Sequence, residues 1–272
     1  VRVLGLDISL NHGAVVELTN GKRSWAGYYT NVAGVASRWP TGARLPAPPS
    51  KDGDKQQYQM ERLAWVEAWL SLVIQSRRPD FAGIEDYALR AEQGAHQLGE
   101  VGGAARMLLW RMGVPFRKHD PISVKMFVTH DGTAQKDLIE RSVIQRWGED
   151  FSEVNAKALP GKKQSRTSSE DLADAFAVAK LVDVEQQIRS GKLTLDKLGH
   201  DKERQVFNRV TKTYPTSLLA REWIHNPSGS FDGVSSIEAR LSRAIARAQS
   251  KDKLELVGFL EKIMKGSNGA RG

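Results

Sequence analysis

Cysteine is absent from the 272 residues, which excludes disulfides and thiolate zinc sites and fits a reducing cytosol. No apolar run approaches the roughly eighteen residues of a membrane-spanning helix, so no membrane partner is expected, nor is a cleavable secretory leader evident. Internal repeats are also missing. The six histidines show no ligand-like pairing, so a histidine metal site is not expected. No nucleotide cofactor is expected either.

What is present is a core-forming chain, 40% apolar, with a net charge of +8. The distribution of charge says more than its sum. Residues 191–272 carry 15 Lys and Arg against 9 Asp and Glu, whereas residues 1–190 carry 25 against 23. A nearly neutral core followed by a basic extension suggests a polyanionic partner.

Residues 1–10, 14–18 and 23–30 read as three consecutive strands, and Asn20-Gly21 is a two-residue hairpin signal. Residues 31–54 are rich in Pro and Gly and show no periodicity, as in a long loop that is either functional or disordered. An amphipathic helix is expected over 56–75, a short strand over 81–86, a glycine-containing helix over 91–112, and a strand from 114. Two helices, 121–128 and 133–147, precede a polar loop over 149–168 and a clear helix over 169–189. The order β-β-β-α-β-α-β-α-α is that of a mixed α/β domain. Beyond residue 190, three helices are expected at 215–225, 235–248 and 251–264, the second with Arg240, Arg243 and Arg247 on one face.

Asp7 interrupts an apolar strand, where a buried charge is costly unless it is paired or holds a cation. Turn capping would also explain it. Glu85 ends another apolar strand, and Asp171 with Asp174, three apart, share a helix face amid Leu172, Ala173, Ala175 and Phe176. Acids in a first helical turn can simply complement the dipole. Four carboxylates in apolar surroundings point instead to Mg²⁺ or Mn²⁺, the hard cations used in phosphodiester hydrolysis.

The segments V-L-G-L-D-I-S at 3–9, I-E-D-Y at 84–87 and D-L-A-D-A-F-A-V-A at 171–179 resemble the RuvC family of Holliday-junction resolvases, RNase H-like nucleases. So do the glycine-containing stretch at 95–103 and the segment from Val124-Lys125 to Lys136. The resemblance implies a mixed five-stranded sheet flanked by helices over 1–190, followed by a mostly helical extension over 191–272. It implies a crossover-junction endodeoxyribonuclease with two Mg²⁺ ions per site, Mn²⁺ substituting, held by Asp7, Glu85, Asp171 and Asp174. Lys136 would stand near the scissile phosphate. The glycine-containing helix would join a homodimer, the partner would be branched DNA, and the setting a bacterial or phage-infected cytoplasm.

Tyr87, Arg90, Lys118 and Lys125 are placed on the nucleic-acid side, together with Lys162, Lys163 and Arg166 in the polar loop. In the family an aromatic near the end of the acidic strand stacks on a base, and here Tyr87 is offset. The insertions at 31–54 and 149–168 and the extension depart from compact members. A non-catalytic branched-DNA scaffold, or a nuclease for forks, flaps or RNA–DNA hybrids, therefore stands as the alternative.

Overall fold

Asn20 and Gly21 both take positive φ, 50° and 79°, the twist a two-residue hairpin needs. They join β2 (His12–Thr19) to β3 (Lys22–Thr30) in a computed structural model that describes residues 1–31, 42–45, 53–86, 95–154 and 168–230. The other strands are β1 (Arg2–Ile8), β4 (Ala43–Arg44), β5 (Phe81–Glu85) and β6 (Phe116–His119). The sheet order is β4-β3-β2-β1-β5-β6. The first three strands run antiparallel in sequence, while β5 lies parallel to β1 and β6 parallel to β5. Five of these strands are those expected from sequence. The two-residue β4, parallel to β3 at the edge, comes from within the stretch read as an unpatterned loop, and two residues are too few to show an alternation.

Alternation along the strands separates two apolar layers. Leu4, Leu6, Val15, Tyr29, Ala82 and Ile84 face a cluster shared with α1 (Lys55–Arg77) and α2 (Ala95–Arg111). Val3, Ala14, Val16, Leu18 and Tyr28 face α5 (Ser168–Arg189), with α3 (Pro121–Thr129) and α4 (Lys136–Trp147) beyond it. Among the described residues no helix is long and apolar enough to cross a membrane.

The approach of α5 to the sheet is unusually close. A Cβ on Gly5 would collide with the Ala175 carbonyl oxygen and the Ala179 amide, and one on Gly83 would lie 2.7 Å from both Val178 and Val182. At Gly5, opposite Ala175 and Ala179, backbone rests nearly on backbone, while Gly83 makes room for two valine side chains of the helix.

Residues 193–230 pack on this same body. In α6 (Asp201–Asn208), Val206 and Phe207 join the α5 layer, and Glu203 accepts from Arg146 at 2.6 Å. The expected helix at 215–225 does not form. Ile224 instead exchanges two backbone hydrogen bonds with Phe116, of 2.9 and 3.0 Å, at the open edge of β6. Arg117, only 1% exposed, pairs with Glu185 at 2.6 Å and donates to the carbonyls of Leu218 and Arg221. Arg189 donates to the same two carbonyls. Oxygens that a helix would have used internally are taken by side chains from the core. The helices expected at 235–248 and 251–264 lie outside the described residues.

Gly5→Ala should destabilise the fold by at least about 3 kcal/mol, the upper range for overpacking, because the obstruction is backbone. Gly103, whose Cβ would meet nothing closer than Arg106 at 3.9 Å, is the control. Gly103→Ala should be neutral or stabilising by up to about 1 kcal/mol. Denaturant unfolding of both variants checks this, and equal midpoints would mean that the contact at Gly5 is unimportant.

Candidate metal centre and active site

Because Val3 and Gly5 face α5, the next residue of that alternation, Asp7, faces it too. The helix begins at Ser168, so Asp171 and Asp174 are delivered to the C-terminal end of β1. Single ligand oxygens of Asp7, Asp171 and Asp174 lie within 4.8 Å of one another. Asp171 and Asp174 are only 2% and 5% exposed. Glu85 lies outside that trio. In the parallel pairing of β1 with β5, Leu6 stands opposite Ile84, so Glu85 comes next to Asp7. Its alternation with Gly83 turns it to the α5 face.

Two basic side chains meet the acids. Lys136, the first residue of α4, places Nζ 2.6 Å from Asp174 Oδ2 and 3.5 Å from Asp171 Oδ1. His12, the first residue of β2, places Nδ1 2.9 Å from Asp171 Oδ2. Burial pushes the Asp174 carboxyl up to about 6, Lys136 pulls it back, and Asp7 and Asp171 add repulsion. Burial likewise raises the Tyr29 hydroxyl well above its ordinary range, with Asp7 and Asp171 contributing. Buried carboxylates that hold one another's charge in check create a demand for positive charge. The donors are all hard oxygens, which fits Mg²⁺ or Mn²⁺ better than softer metals.

Of the residues assigned to nucleic acid, Lys118 donates to Asp86 at 2.8 Å, just beyond Glu85, and Tyr214 donates to the same carboxylate. Lys125 is half-buried on α3 and adds to the lowering of Asp131, which the Thr133 amide chiefly causes. Tyr87, Arg90, Lys162, Lys163 and Arg166 lie outside the described residues, as do Arg240, Arg243 and Arg247. Sequence reasoning missed His12 by looking for pairs of histidines. Its signal was available: two residues before Ala14, it shares that strand's α5-facing alternation.

A sheet with three antiparallel strands followed by two parallel ones, and acids gathered where the central strand meets a helix, defines an RNase H-like nuclease architecture. No family model matches the chain. Several curated relatives do, each a crossover junction endodeoxyribonuclease RuvC. That of Rickettsia felis is 31% identical over 119 residues, covering 43% of this chain and 67% of the relative. That of Prochlorococcus marinus is 26% identical over 126 residues, covering 46% and 72%. That of Acidobacterium capsulatum is 33% identical over 82 residues, covering 29% and 47%. Two solved structures are also similar at 21% identity. Thermus thermophilus RuvC has a TM-score of 0.44 and covers 70% of this chain and 97% of its own. The same protein with a Holliday junction substrate has a TM-score of 0.42 and covers 66% and 90%. The chain belongs to the RuvC family of crossover junction endodeoxyribonucleases.

Without metal, Asp174 should keep its proton up to about pH 6, whereas an Asp in an unfolded chain loses it near about 3.9. The native state then binds the extra proton, so this group makes stability fall as pH rises from about 4 to about 6 and adds no further slope above that. Asp174→Asn should remove that component in EDTA. Denaturant unfolding of both proteins at pH 4, 5, 6 and 7 measures it, and parallel pH profiles would assign the slope elsewhere.

Proposed function

We propose that this chain is a divalent-metal-dependent endonuclease that cuts Holliday junctions, or other branched DNA, by phosphodiester hydrolysis. The observation that carries the proposal is the Asp7–Asp171–Asp174 trio, half-buried at Asp7 and buried at the other two, at the end of the central strand. In this reading Asp7, Glu85, Asp171 and Asp174 hold two Mg²⁺ ions, for which Mn²⁺ substitutes. Bound there, the ions lower the pKa of the attacking water and stabilise the leaving 3′ oxygen. The acids themselves act as fixed ligands, set by strand and helix rather than by loops. Lys136 has its ammonium beside Asp174 and Asp171, and it would contact the scissile phosphate there.

Lys118 and Lys125 would contact the DNA backbone, joined by Arg90, Lys162, Lys163 and Arg166, and Tyr87 would stack on a base at the branch. Residues 1–190 make up the nuclease domain in this reading. The basic extension, 191–272, would add phosphate contacts, its charge supporting a salt-dependent affinity. Paired cuts on opposed strands call for two active sites, and α2 supplies a surface for a second copy. It carries Gly102 and Gly103, and exposes Met107 and Trp110 at 49% and 39%. Trp110→Glu should shift the protein from dimer to monomer in sedimentation, and an unchanged mass would move the interface elsewhere.

The activity is tested with a labelled four-way junction, a fork, a flap and an RNA–DNA hybrid, each with Mg²⁺, Mn²⁺ or EDTA. The wild type is expected to make metal-dependent, symmetrically paired nicks in the junction, leaving 5′-phosphate and 3′-hydroxyl ends. Asp7→Asn should bind the junction but cut at least about 100-fold more slowly, the scale of losing a key electrostatic group. Cleavage by Asp7→Asn at the wild-type rate would sink the assignment. Binding without cleavage by either protein would make the chain a junction scaffold.

A further inference from the structure

His12 is a polar neighbour of the acidic trio that comes from β2, the strand beside β1 on the side away from β5. It begins β2, paired with Thr30 on β3, and shares the α5-facing alternation of Ala14 and Val16. Its ring nitrogen Nδ1 lies 2.9 Å from Asp171 Oδ2, with the imidazole side chain 25% exposed. The other oxygen of Asp171, Oδ1, lies 3.5 Å from the Lys136 ammonium, which also meets Asp174 Oδ2 at 2.6 Å. An ionised carboxylate only accepts, so a hydrogen bond across this distance requires the hydrogen on Nδ1.

The turn that bears His12 is held firmly from behind. The Ser9 amide and hydroxyl donate to the His12 carbonyl at 3.0 and 2.5 Å, and the His12 amide donates back to the Ser9 hydroxyl at 3.2 Å. Tyr29, fully buried, donates from its hydroxyl to the Ser9 carbonyl. Arg62, itself buried, donates to the Leu10 carbonyl at 2.8 Å and to the Asn11 side chain. A hydrogen-bond donor on so rigid a turn can fix the orientation of the carboxylate it meets.

We infer that His12 is a positioning residue for the metal centre. By donating Nδ1–H to Oδ2 it fixes the rotation of the Asp171 carboxylate and keeps Oδ1 directed at the cluster. The hard cations that suit these acids prefer oxygen to imidazole, so the ring acts through Asp171 rather than as a ligand. Outer-shell partners of this kind set ligand orientation and metal affinity. The inference rests on the metal-centre reading above.

Isothermal titration with Mn²⁺ on the full chain tests it without reference to cleavage. His12→Ala should bind Mn²⁺ about 10-fold or more weakly than wild type, and His12→Asn, whose amide nitrogen reaches the Nδ1 position, should stay within about threefold. Equal affinity of His12→Ala and wild type overturns the inference. So does a loss in His12→Asn as large as that in His12→Ala, which would mean that the hydrogen bond at Nδ1 is not what matters. Asp7→Asn separates the two levels: it should lose binding regardless of His12. If the wild type binds no Mn²⁺, or Asp7→Asn binds as well as wild type, the metal-centre reading fails and the inference fails with it.

Discussion

The close contact of α5 with the strands β1 and β5 decides where everything else in the site lies. At Gly5, opposite Ala175 and Ala179, no side-chain layer separates helix from strand, and at Gly83 the Val178 and Val182 side chains pack straight onto strand backbone. The helix is therefore lowered onto the sheet, and the acids of its first two turns reach the level of Asp7. A bulkier residue at position 5 would lift the helix and open the cluster. The helix is also tied further along its length, where Glu185 meets Arg117 and Arg189, and those arginines hold the chain at Leu218 and Arg221.

Such a packing concentrates negative charge where water is scarce. Gathering Asp7, Asp171 and Asp174 costs desolvation and mutual repulsion, which raises Asp174 toward neutral pH. Lys136 and His12 offset part of that cost from two different directions, one from a helix start and one from a strand start. Their contacts also help to hold the acids close to one another. The same mutual repulsion favours a divalent cation among these acids, so stability and metal affinity would draw on one source.

Much of the frame was legible in sequence. The Asn20-Gly21 turn, the alternation around Asp7 and the spacing of Asp171 and Asp174 each carry their own local signature, because period and turn chemistry depend on neighbouring residues alone. The region after residue 190 was not legible in the same way. A moderate apolar stripe at 215–225 suggested a helix, yet Leu218 is used to fill the core and Ile224 to close the edge of β6. Nothing local announces that distant arginines will take the carbonyls.

The sequence by itself determined the strand order along the chain, the carriers of the acids and the family they resemble. It did so because these depend on residue type at short spacing. Only the tertiary structure decided that Asp7 meets Asp171 and Asp174 within 4.8 Å, that Glu85 stands beside rather than within that trio, and that His12 faces Asp171. Those are distances between residues up to 167 positions apart in the chain. They are set by how closely one helix can approach one sheet, which no local pattern records.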